Sequence, residues 1–84
     1  MLIHYSDGRA VESVIAVWDD LHESRAGFYR AFWVSASDVE GSGSPIVGYC
    51  SPGGSHRTIR ATVAEASRLY PDVPVYRNGR RIER

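Results

Sequence analysis

Two glycines, a serine and a histidine, Gly53-Gly54-Ser55-His56, run straight into a segment with helical spacing that carries Arg57 and Arg60 at its start. A glycine-rich turn that opens a helix points free backbone amides outward, and the helix dipole favours negative charge at that end. Arg57, Arg60 and Arg68 fall on one side of the helical projection, opposite its apolar stripe, with only Ala64 between them. Gly53, Gly54, Ser55, Arg57, Arg60 and Arg68 therefore form a candidate seat for an anion or a phosphate backbone. Arg80 and Arg81 extend the set from the C-terminal residues, beside Arg77 and Arg84. The stretch is not a phosphate-binding loop of the Walker type, since no lysine followed by Ser or Thr closes it, and it lacks the spacing of a dinucleotide fingerprint. The plain alternative is a capped helix with a solvated arginine face.

Other chemistry-bearing residues do not assemble into a signature. Asp19, His22 and Glu23 lie close together in the chain, but Asp38, Glu40, His4 and His56 stand at no metal-ligating spacing from them. No metal and no cofactor is expected. Cys50 precedes His56 by a glycine turn, and Ser51, Ser55 and Asp72 suggest no triad, so no nucleophile is paired with a base by sequence. The expectation is a protein that is not an enzyme. A weaker reading places an activity at the Gly53-Gly54 turn that requires His56.

The elements that must position these residues follow from composition and periodicity. The chain has 84 residues, 43% of them hydrophobic and 11% aromatic, enough for one modest core and hence a single domain over 1–84. The lone cysteine fits a reducing compartment, and no stretch reads as a signal peptide or membrane span, so the expected location is the cytoplasm. All ten basic residues are arginine, and they balance ten carboxylates unevenly. Residues 1–42 hold three arginines against seven carboxylates, and residues 43–84 hold the reverse. One acidic and one basic surface would result if the halves do not interleave.

Asp7-Gly8 supplies a positive-φ turn for an N-terminal hairpin whose second strand includes Val14 to Trp18. Residues 9–25 also admit a helix, because Val11, Val14, Ile15, Trp18 and Leu21 fall at helical spacing, with Arg25 and Gly27 placed like a C-terminus. The density of β-branched and aromatic side chains favours strand. Phe28 to Val34 reads as the next strand, with Phe28, Arg30, Phe32 and Val34 on one face and Tyr29, Ala31 and Trp33 on the other. A polar loop and a central strand at Ile46 to Cys50 follow.

Ser55 reads as the N-cap of the helix, Ile59, Thr62, Val63, Ala66, Leu69 and Tyr70 as its core stripe, and Pro71 as its end. Asn78-Gly79 signals a type I′ turn and a closing hairpin. The predicted fold is α+β: a small antiparallel sheet of four to five strands with hairpins at both ends and one main helix packed on one face.

One helix covers only one face of such a sheet, yet the strands offer apolar side chains to both. The uncovered remainder calls for a second protomer, a protein partner or stacked bases, unless long arginine stems and a loop shield it. Tyr29, Phe32 and Trp33, with the acidic Asp19, Asp20 and Glu23, are the expected protein contacts. The expected function is therefore occupation of another protein's surface, or self-association as a dimer. Nucleic-acid binding through the arginine ridge is the alternative, and no membrane is involved. In size, lysine-free composition and lack of a catalytic constellation, the chain resembles small accessory and inhibitor proteins of phages and mobile elements from GC-rich bacteria.

Overall fold

The structure is a computed structural model, and it describes residues 1–5, 7–19, 27–39 and 51–83. Among the described residues, five strands and one helix occur in chain order: β1 (Leu2–His4), β2 (Ala10–Asp19), β3 (Tyr29–Ser35), α1 (Ile59–Leu69), β4 (Val75–Arg77) and β5 (Arg80–Arg81). The fold is α+β, with a mostly antiparallel, open sheet and one helix.

Strand β2 is the hub. One of its edges pairs antiparallel with β3, from Ser13 opposite Ser35 to Asp19 opposite Tyr29. Its other edge is shared end to end. β1 takes the first part, antiparallel, with Leu2 opposite Glu12. β4 takes the next, parallel, with Ile15 opposite Val75 and Ala16 opposite Tyr76. The Ser13 amide donates to the Met1 carbonyl at 2.8 Å and the Ile15 amide to the Pro74 carbonyl at 3.1 Å, and amides two residues apart leave a strand on the same side. The parallel pair is the one departure from the predicted antiparallel ladder. Parallel partners need a long crossover between them, and here β3 and α1 both lie between β2 and β4 in the chain.

Residues 10–19 are strand throughout, not helix. Ile15 and Val17 face the helix while Val14, Ala16 and Trp18 face away. A strand buried on both faces shows a continuous apolar run, which is why helical spacing could be found in it. Both glycine turns behave as their dipeptides require. Gly8 has φ +90°, and the Arg9 amide donates to Asp7 Oδ1 at 3.0 Å. Asn78 and Gly79 have φ of +52° and +77°, the two positive values of a type I′ turn. The expected strand at Ile46–Cys50 lies outside the described residues.

The helix begins later than Ser55. Thr58 is the N-cap, its Oγ1 accepting from the Ala61 amide at 3.0 Å. Ser55 fails as a cap because the backbone is still extended beside it: Tyr29 and His56 exchange two backbone hydrogen bonds, at 2.7 and 2.9 Å. Arg57 accordingly precedes the helix instead of sitting in its first turn. Of the predicted stripe, Thr62 and Ala66 are buried, and Ile59, Val63 and Tyr70 pack on the core. Leu69 does not join them and is 45% exposed. It lies at the flank of the stripe, rotated past the edge that the sheet can reach. The helix-side core comprises Ile3, Ile15, Val17, Ala31, Trp33, Ala66, Val73 and Val75. Among the described residues, no helix is long and apolar enough to cross a membrane.

Candidate binding surface

The residues expected to contact a partner do not share a surface. Trp33 lies 2% exposed in the helix-side core, its ring edge-on to Tyr70 with centroids 4.9 Å apart. It is a packing residue, because it shares a face with Ala31, which is the face α1 covers. Tyr29 and Asp19 stand opposite each other on that same side. Arg77 ties them down. Its guanidinium lies 5.5 Å from the centroid of the Tyr29 ring, reaches Asp19 Oδ1 at 3.2 Å and donates to the Val17 carbonyl at 3.2 Å. Asp20 and Glu23 lie outside the described residues. Of the expected contacts among the described residues, Phe32 alone is on the face away from the helix.

That face carries aromatics of its own. Trp18 and Phe32 meet with centroids 5.7 Å apart at 46°. Trp18 and Tyr76 both pack on the second cluster of Val14, Ala16 and Val34. All three aromatic rings are half-buried. Among the described residues, the residues from other segments packed on this cluster are Ala36 and Val39. They follow the Ser35 end of β3, where the Ala36 amide donates to the Glu12 carbonyl at 2.9 Å. The strip is bordered by arginines. Arg30 stands opposite Trp18 and donates to Ser55 Oγ at 3.1 Å. Arg57 lies 4.9 Å from the centroid of the Phe28 ring. Arg81 stands opposite Tyr76.

Trp18 and Tyr76, which share this strip with Phe32, were not among the residues singled out from the sequence. Trp18 could have been found by carrying the two-residue alternation from Phe32 across to β2. The position of Tyr76 depends on the parallel pairing of β4, which no local signal announces.

The glycine turn does hold an anion, and the anion is the protein's own. The Gly54 amide donates to Glu65 Oε1 at 2.6 Å, and His56 Nε2 lies 2.9 Å from the same oxygen. Arg68 stands 3.9 Å from Glu65 Oε2. The His56 hydrogen bond first, and the Gly54 amide second, hold the Glu65 carboxyl below its ordinary value. Gly53 is required here. Its φ is +126°, and a Cβ would lie 2.5 Å from Glu65 Oε1.

The remaining arginines do not form one ridge. Arg60 and Arg68 are exposed on the helix. Arg80 stands opposite Arg77 and so points to the helix side of the sheet, while Arg81 points to the other. Among the described residues, no group of three His, Cys, Asp or Glu is placed to hold a metal ion. His56 and Glu65 form an oriented imidazole and carboxylate pair, but Cys50 lies outside the described residues.

No protein-family model, no curated protein and no solved structure matches this chain.

Proposed function

We propose that the protein is a small non-enzymatic binding module that takes a protein partner, or a second copy of itself, on the face of the sheet away from the helix. The strip of Trp18, Phe32 and Tyr76, half-buried and bordered by Arg30, Arg57 and Arg81, carries this reading. Trp, Tyr and Arg are the residues in which interface binding energy concentrates, and a rigid sheet presents them at low entropic cost. The reading supported by the lone cysteine and lysine-free composition is a cytoplasmic accessory or inhibitor protein. Its test is the pair Trp18→Ser and Phe32→Ser, compared with Leu69→Ser on the exposed flank of the helix. The first two abolish partner capture or self-association while the third does not; equal binding by all three variants refutes the placement.

A second reading has one observation behind it. Arg57 over Phe28, with Arg81 beside Tyr76, combines cations for phosphates with rings on which bases stack. Single-stranded nucleic acid is then the ligand, and affinity falls steeply with added salt. Salt-insensitive capture, unaffected by nuclease, removes this reading.

A further inference from the structure

We infer that residues 53–57 form an arm held to α1 by a latch, in which the Glu65 carboxylate clasps the Gly54 amide and the His56 imidazole, and that protonating Glu65 frees the arm from the helix while the backbone bridge to Tyr29 stays in place. The arm has firm ends. Pro52 is fully buried at one, and Thr58 caps the helix at the other. Between them, one carboxylate oxygen serves both the Gly54 amide at 2.6 Å and His56 Nε2 at 2.9 Å. The absence of a side chain at Gly53 lets that oxygen approach. Hydrogen bonds to an ionised carboxylate are roughly twice as strong as neutral ones, so the clasp depends on the charge of Glu65.

The surrounding groups fix the direction of the switch. On α1, Arg68 lies 3.9 Å from Glu65 Oε2 and favours the ionised form. On the arm, Arg57 is directed to Phe28. On β3, Tyr29 pairs with His56 through the backbone, and its ring lies under Arg77, which is itself paired with Asp19. Losing a proton from His56 does not open the latch, because a neutral imidazole protonated at Nε2 still donates to Glu65. Release therefore belongs to the acid side. The Glu65 carboxyl titrates below its ordinary 4.5, so the clasp is complete above that pH and is lost as the pH falls through the lower folded-state value.

Release reaches the other face of the sheet. Across the bridge between Tyr29 and His56, successive residues alternate sides, so His56 meets the helix while Ser55 holds Arg30 and Arg57 covers Phe28. Freeing the arm from α1 loosens its Ser55 end, which holds Arg30 at the arginine border of the proposed binding surface. That consequence rests on the proposed function, whereas the latch does not.

The test is NMR on the free protein from pH 7 to pH 3, following the Gly54 amide, the His56 ring and the Glu65 carboxyl, with the Val17 amide reporting global unfolding. In the wild type, the Gly54 amide signal moves with the Glu65 titration, and Gly54 protection falls about tenfold for each unit by which folding lowers the Glu65 pKa, while Val17 stays protected. Glu65→Gln leaves the Gly54 amide unprotected and its shift independent of pH. His56→Gln raises the Glu65 titration toward 4.5. Gly54 protection that survives protonation of Glu65, or that is lost only together with Val17, overturns the latch. Because no partner is present, that failure is separate from failure of the binding surface, which the Trp18 and Phe32 variants read.

Discussion

The two faces of the sheet are built from alternate residues of the same strands, and they differ in what covers them. From β2 and β3, the helix side receives Ile15, Val17, Ala31 and Trp33, all buried. The other side receives Ala16, Trp18, Phe32 and Val34, of which the two largest remain half-buried. Each face thus has one tryptophan, and only its neighbours distinguish a buried ring from a half-buried one. Trp33 has Tyr70 and Ala66 of the helix region in its cluster, while among the described residues the cluster of Trp18 is completed by Tyr76, Ala36 and Val39. Aromatic content therefore does not tell a covered face from an open one; the cover itself does.

The contrast is sharpest in stability. Trp33→Ala costs about 3–5 kcal/mol, as a large cavity opens beneath the helix, and urea unfolding measures it. Trp18→Ala costs about 1–2 kcal/mol, since only part of its ring leaves water on folding. Equal losses would mean that the second face is a core like the first. Gly53→Ala comes next, destabilising by about 1–3 kcal/mol through left-handed backbone strain and the clash with Glu65. Thermal melting checks it, and Glu65→Ala should relieve part of the penalty by removing the clash.

Thr58→Ala costs about 1 kcal/mol and lowers helicity by circular dichroism, whereas Ser55→Ala leaves helicity unchanged. That pair separates the helix end from the arm. The residues between Ser55 and Thr58 also show how much was legible. In SHRT the local preference for Ser over Thr as a cap points to Ser55, three positions before the residue that caps the helix. The bridge between Tyr29 and His56 decides between them, and it joins residues far apart in the chain. The turns at Asp7-Gly8 and Asn78-Gly79 and the proline stop after Tyr70 were readable because each is specified by its own residues. The shared edge of β2, the parallel pairing of β4 and the seating of Glu65 on Gly54 were not, since each depends on where a distant element packs.

The candidate site divides the same way. Alternation along one strand sufficed to put Phe32 on the face opposite Trp33. Trp33 was misassigned because alternation says which residues share a face, not which face the helix covers. Asp19 carries the acidic character expected of it, but Arg77 pairs with it on the helix side.

The smallest effects concern exposed charge. Stability falls in acid as Glu65 takes up its proton, and Glu65→Gln flattens that limb of the pH profile without altering the neutral side's slope. Arg68→Ala changes stability by no more than about 0.5 kcal/mol, because its contact with Glu65 is long and solvated.

The most direct measurement places a photo-crosslinking amino acid in turn at Phe32, at Trp18 and at Leu69, and illuminates cells that express each variant. The account predicts a discrete adduct from Phe32 and Trp18 and none from Leu69, with nuclease sensitivity telling nucleic acid from protein. Adducts from Leu69 alone, or none from the sheet face in folded protein, would contradict it.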